Sequence, residues 1–292
     1  MKKFLLQTLL FGLLLAALNG LLYQQGKALY FGNYGKVDTA ATRFLLADSR
    51  GLSLNNFPAD YGVANFSSNS DSYVDMLRKL QYLLRHSHIK QLYISADDHM
   101  VSSYRERTNN QDISVVLTES SDYENTFQFV KERYLKYYVV LFQPVVRTIV
   151  RSKIEAWVAR NFGAASSKKP IDNWSLVDSF TRTQQAQNRF ILQYPDSQPS
   201  AAMVKALEQI IQLCKEHNIQ LITFRFPLTK EYLQQTDHMP FHSNEVFMKW
   251  NVPVLDHSRL YMDRSHYFKN QDHLNDLGGR VFTDHLWRNS SR

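Results

Sequence analysis

Cysteine is nearly missing from this chain: Cys214 is the single one among 292 residues. One thiol cannot close an internal disulfide, so an oxidising exterior is allowed without being required. Cys214 follows Ile210 and Ile211 on the apolar side of a predicted helix, which makes it a buried, inert thiol rather than a nucleophile. No internal repeat is present. The formal charge is +7, yet no basic stretch is interleaved with stacking aromatics, which excludes nucleic acid as the expected partner. Such a positive surplus instead suits anionic lipids or wall polymers.

Metal-ligand spacing is missing too. His238, His242, His257, His266, His273 and His285 crowd the last third, with Asp97, Asp98 and His99 as further candidates. Only His238 and His242 stand one helical turn apart, and Pro240 interrupts the helix this spacing needs. Surface and capping roles account for these side chains. Neither a metal nor a cofactor is expected.

What is present begins with a membrane signal. Lys2 and Lys3 precede Phe4 to Leu22, where only Gln7, Thr8 and Asn19 are neither apolar nor small. That run is about long enough to cross a bilayer. It is long for a signal peptide, and no small-x-small cleavage site precedes Tyr23, so residues 1–23 read as an uncleaved anchor in preference to a cleaved signal. The paired lysines would stay in the cytoplasm, with everything after about Leu22 outside.

Beyond a polar linker at 24–42, one α/β domain is expected over 43–292. Arg43 to Ala47 reads as a strand, a helix is opened by Ser72 and Asp75 with Tyr73, Met76, Leu77, Leu80 and Leu84 on its apolar face, and Ile89 to Ser95 reads as a buried strand. The pattern returns with a helix at Ala201 to His217, strands at Ile219 to Phe226 and Asn251 to Leu255, and a final helix at Leu274 to Arg288. Alternation of this kind implies a mostly parallel, doubly wound sheet covered on both faces. Residues 100–199 break the pattern with helical stretches at Tyr123 to Lys136 and Arg147 to Phe162, read as a helical insertion. Its apolar patch, Tyr137 to Phe142, stopped by Pro144, is core, lid, acyl contact or membrane surface.

The chemistry sits at two points. Phe44-Leu45-Leu46-Ala47-Asp48-Ser49-Arg50-Gly51 is an apolar strand breaking into a turn, and His273-Leu274-Asn275-Asp276-Leu277-Gly278 precedes the last helix. A serine hydroxyl needs a base, an orienting group and oxyanion donors to act as a nucleophile. Strand ends in a parallel sheet are where such groups gather. Ser49 is the expected nucleophile and His273 the expected base.

These two blocks resemble the SGNH (GDSL-like) hydrolase superfamily, above all its membrane-anchored branch that works with O-acyltransferases on bacterial surface glycans. Ala47-Asp48-Ser49 is similar to the Gly-Asp-Ser block, and Asn270-Gln271-Asp272-His273-Leu274-Asn275-Asp276-Leu277-Gly278 to the Asp-x-x-His-Leu-Asn-x-x-Gly block. The resemblance covers about residues 40–98 and 200–290. It implies a three-layer SGNH/flavodoxin-like fold and an esterase or O-acyltransferase at the bacterial inner membrane, acting outside the cytoplasm on acylated carbohydrate. Asp48 and Arg50 flank the nucleophile and count among the substrate-binding or oxyanion candidates.

The departures define the remaining alternatives. Asn270 stands where the family has Asp, so the orienting group is Asn270, Asp272 or nothing, or the pair is instead Asp263 and His266. The second-block glycine is replaced by the region Asn65 to Ser70, in which Asn69 would take a left-handed conformation. Gly62 is the other donor candidate, because no glycine lies between it and Gly163. Ser95-Ala96-Asp97-Asp98 lacks the third-block Asn. A catalytically weak or inactive SGNH-like scaffold that binds glycan or docks a membrane O-acyltransferase is the runner-up.

Overall fold

The computed structural model describes residues 1–27, 32, 34–143, 145–162, 173–237, 239 and 241–288. They fall into two units: Met1–Lys36 with Asp112–Lys169, and Val37–Gln111 with Pro170–Arg292.

The first unit opens with α1, Lys2–Gly26, 25 residues long, in which an 18-residue stretch has a mean hydropathy of 2.0. At 1.5 Å per residue it reaches about 37 Å, more than the hydrocarbon core requires. It is the one helix among the described residues long and apolar enough to cross a membrane. It continues to Gly26, three residues beyond the expected anchor, because Gln24 and Gln25 are good helix formers and no breaker intervenes. The region expected to be a helix at Tyr123 to Lys136 forms an α-helical turn at Thr126–Val130 and a wider π-type turn at Lys131–Lys136. Tyr137 and Val140 join Val115 and Ile149 in this unit's core, so part of the apolar patch is packing; Pro144 lies outside the described residues.

The second unit is built on five parallel strands: β1 (Arg43–Leu46), β2 (Ala64–Asn65), β3 (Gln91–Ser95), β4 (Gln220–Arg225) and β5 (Val254–Asp256), in spatial order β2-β1-β3-β4-β5. Phe44 to Ala47 and Leu92 to Ile94 have no exposed surface. That two-sided burial is why these strands read as unbroken apolar runs rather than alternating ones. On one face Leu45, Tyr93 and Phe224 pack against Phe282, Leu286 and Trp287 of the final helix. The chain reverses its direction of winding at β1, the position where parallel sheets open a crevice beyond their carboxyl ends.

The remaining elements of use are α2 (Ser49–Leu52), α3 (Tyr73–His86), α4 (Val145–Phe162, in the first unit), α5 (Ser179–Gln193), α6 (Ala201–Glu216), α7 (Lys230–Thr236) and α8 (Asp276–Arg288). The Ser72 and Asp75 capping box starts α3 as expected. Its buried face includes Leu83 and Lys79, whereas Leu77 and Leu84 are only half-buried. The expected insertion at 100–199 divides. Residues 112–169 group with α1, while 100–111 and 170–199 group with the sheet, because their side chains anchor the site described below. The last helix begins at Asp276 rather than Leu274. His273 and Leu274 instead pair antiparallel with Phe268–Asn270 as strands β7 and β6.

Two glycines let α8 approach the site. A Cβ on Gly278 would run into the Tyr267 carbonyl, and one on Gly279 into the Ser53 carbonyl just after α2. The second contact sets the distance between the final helix and the Ser49 turn. Gly279→Ala is expected to cost about 1–3 kcal/mol by overpacking, read as a lowered urea midpoint of the detergent-solubilised chain; an unchanged midpoint would show that this approach is not tight.

Candidate active site

Ser49 is the first residue after the β1 turn. Asp48 caps the turn, its Oδ1 accepting the Arg50 N–H at 3.0 Å, and this places Ser49 half-buried at the sheet's carboxyl edge. As first residue of α2, Ser49 has no intrahelical acceptor for its own N–H. Its Oγ lies 2.7 Å from His273 Nε2. The two residues, 224 apart in the chain, are in hydrogen-bond contact.

The tight β6–β7 hairpin decides what orients His273. Asn270 stands opposite His273 across the hairpin, and Gln271 and Asp272 form its turn, tied down by Thr229 Oγ1 donating to the Gln271 carbonyl at 2.9 Å. His273 Nδ1 is 3.0 Å from Asn270 Oδ1 and 2.9 Å from Asp272 Oδ1. Asn270 Oδ1 also accepts the Asp272 N–H at 3.2 Å, so the oxygen of that amide points into the hairpin. Two acceptors on Nδ1 assign the proton to that nitrogen. Nε2 is left with its lone pair toward the Ser49 hydroxyl.

Asp272 is 1% exposed and held from behind. Its Oδ2 accepts from Arg189 Nε at 3.0 Å and Gln193 Nε2 at 3.3 Å, both on α5, and from Arg50 at 3.4 Å. Burial alone would raise its carboxyl, but His273, Arg189 and Arg50 outweigh burial and hold it well below the usual carboxylate range. It is an ionised carboxylate fixed on the imidazole. The serine, imidazole and carboxylate therefore lie in a continuous hydrogen-bonded line.

Arg50 and Asp48 spend their charges on buried ion pairs. Arg50 is 2% exposed and pairs with Asp97 at 2.8 Å as well as with Asp272, because the α2 turn sends alternate side chains out to the crevice and back under the sheet. Asp48 Oδ2 meets His99 Nε2 at 2.8 Å and the Arg105 guanidinium. Burial would raise Asp48, but Arg105, His99 and Arg50 hold it well below the carboxylate range. Burial, with Arg50 and Arg105 nearby, pushes His99 down to about 3, so it is neutral. Burial pushes Asp97 up to about 6 despite Arg50.

The oxyanion candidates separate. A turn from Ser68 to Asp71, closed by the Asp71 N–H on the Ser68 carbonyl, places positive φ on its third residue, so Ser70 (φ 65°) and not Asn69 is left-handed. Asn69 nevertheless lines the cavity of about 520 Å³ that contains Ser49, together with Leu52, Asn55, Lys269, Asn275 and Leu277. Lys79, buried under this loop, donates to the Phe66 carbonyl, Ser68 Oγ and Asp71 Oδ2 and fixes its shape. Asn65 spends its amide N–H groups on the Gly51 and Asn55 carbonyls and braces the α2 turn. Gly62 has φ 69° but ends a turn before β2, at the amino end of the sheet, away from Ser49.

The other candidates also resolve. Asp263 and His266 are exposed, and the His266 ring packs on Tyr267, so that register does not form the pair. His242 contacts Asp98, and His257 packs on Phe282 and His285; His238 lies outside the described residues. Among the described residues no group of three or more His, Cys, Asp or Glu is arranged to hold a metal. A second polar cavity of about 250 Å³ opens beside Asp97, Arg225 and His242, with neither Ser49 nor His273 in its wall. Arg189, Gln193, Arg105 and Lys79 hold the site without standing in either sequence block, and His99, a metal candidate by sequence, serves instead as a partner of Asp48. Arg189, Gln193, His99 and Arg105 reach carboxylates more than 50 residues away, Lys79 reaches Asp71 eight residues away, and no local motif marks any of them.

Compared with models of known protein families and with curated proteins, the chain matches none.

The buried carboxylates make stability pH-dependent in two windows. Asp48 and Asp272 have folded pKa values below their unfolded ones, so their contribution is present above about pH 4 and lost as pH falls below it. Asp71, raised by burial to about 6, and Asp97 act in the opposite sense: they cost stability as pH rises from about 4 to 6. The urea midpoint should therefore drop below about pH 4, with a shallower slope in Asp48→Asn. Equal acid slopes in the two proteins would contradict the assignment.

Proposed function

We propose that the chain is a membrane-anchored, extracytoplasmic serine esterase or O-acyltransferase of the SGNH (GDSL-like) type, acting on acyl, foremost acetyl, esters of cell-surface or exported glycans. The observation that carries this reading is the line Ser49 Oγ, His273, Asp272, with separations of 2.7 and 2.9 Å. Under it, the sheet is the centre of a three-layer doubly wound frame, and residues 112–162 are its helical insertion. The N-terminal helix anchors the chain in a bacterial inner membrane with the sheet outside.

Ser49 Oγ attacks the acyl carbonyl carbon while its proton passes to His273 Nε2. Asp272 stabilises the imidazolium so formed, a role a neutral Asn270 fills only by orientation. The negative charge on the carbonyl oxygen is met by the Ser49 N–H and by Asn69, which lines the same cavity. Collapse breaks the bond to the sugar oxygen, which leaves with the proton from His273. Water then releases the acyl group as an acid, or a sugar hydroxyl takes it as a new ester. The cavity rim of Asn55, Asn69, Lys269 and Asn275 suits a short acyl group on a polar carrier.

The scaffold reading keeps one observation in its favour: Asp97, in the third-block region, is buried against Arg50 and supplies no oxyanion donor. Labelling with a fluorophosphonate separates the two. Wild type is expected to label and Ser49→Ala to lose the label. Asp272→Asn should lower the labelling rate by about 10³–10⁴-fold, and Asn270→Ala by about tenfold or less. A folded wild type that never labels would favour the scaffold that presents glycan or docks a membrane O-acyltransferase.

A further inference from the structure

The unit holding α1 and residues 112–162 contributes none of the groups of the proposed site, yet among the described residues it carries most of the large exposed apolar side chains. Within the apolar run of α1, Asn19 donates to the Tyr138 carbonyl at 3.0 Å and accepts the Leu141 N–H at 3.3 Å. A carboxamide in hydrocarbon is costly unless it is paired. The segment Tyr138 to Leu141 therefore stands at the depth of Asn19, three residues or about 4.5 Å along the helix from the end of the run. Part of this unit is held at the outer membrane boundary if α1 spans a bilayer.

α4 packs along the same end of α1. Val150, Ile154 and Trp157, spaced by four and three residues, form one stripe and are 43%, 55% and 58% exposed. Helical geometry places Arg147 and Arg151 on one side of the stripe and Lys153 and Arg160 on the other. Leu18, Leu21 and Leu22 of α1 join Ile154 and Trp157 in an open apolar groove of about 330 Å³. From Thr126 to Phe162 seven lysines and arginines stand against two glutamates. An apolar stripe with an interfacial tryptophan and basic flanks is the pattern of a helix lying in a membrane surface.

We propose that α4 is an interfacial membrane helix: its Val150–Ile154–Trp157 stripe enters the outer headgroup layer beside α1, and acyl chains of anionic lipids occupy the α1–α4 groove. The continuity of the groove with the spanning helix and the charge of its flanks select a lipid surface as the occupant. The proposal rests on α1 crossing a bilayer, and the two claims separate experimentally. The full chain is reconstituted into phosphatidylcholine–phosphatidylglycerol vesicles brominated near the headgroup end of the acyl chains, and tryptophan emission is read in wild type and Trp157→Phe. Trp174, Trp250 and Trp287 belong to the other unit.

The expected result is a quenched component that disappears in Trp157→Phe, with both proteins floating with the vesicles after a carbonate wash. Flotation without any Trp157-dependent quenching would overturn the interfacial helix while leaving the anchor intact, and would assign the stripe to a protein partner. Failure to float would overturn the anchor and the proposal with it.

Discussion

The site depends on one buried guanidinium. Arg50 follows Ser49 directly and lies between Asp97, just past β3, and Asp272, in the hairpin that carries His273. Three strand ends and loops that would otherwise repel or drift are thereby joined by a single cation. Removing charges from water is expensive, and such a pair contributes geometry more dependably than stability. Here the geometry is what matters, because an imidazole must sit within hydrogen-bond reach of a hydroxyl 224 residues away.

Around Arg50 the same solution is repeated. Asp48 is held by Arg105 and His99, Asp272 by Arg189 and Gln193, and Asp71 by Lys79. Each pairing fixes one loop: the Ser49 turn, the histidine hairpin and the loop carrying Asn69. The loops at the carboxyl edge are thus clamped from beneath by charge, leaving their outer surface polar and open. Pre-organisation of this sort is what electrostatic catalysis requires.

Much of this frame is legible in the sequence because parallel strands buried on both faces must be apolar throughout. The runs Phe44 to Ala47 and Leu92 to Ile94 announce themselves, as does the break into Asp48-Ser49. The identity of the orienting group is not legible. Asn270 and Asp272 both lie within reach of His273, and only the hairpin register brings both oxygens to Nδ1. Arg50 reads as a candidate because it neighbours Ser49, and nothing local tells that its guanidinium turns to Asp97 and Asp272. Arg189 and Gln193 sit in a stretch without strands, where nothing local tells that α5 turns toward the hairpin. The left-handed residue falls at Ser70 because turn position, not residue preference, set φ there.

The central claim is that Asp272, an ionised and buried carboxylate, holds His273 with its Nδ1 proton directed inward. Proton NMR of the imidazole tests it directly. The account predicts a His273 Nδ1–H resonance far downfield of the amide envelope, which moves upfield in Asp272→Asn and keeps its place in Asn270→Ala. A resonance that ignores Asp272→Asn and moves with Asn270→Ala would contradict the account.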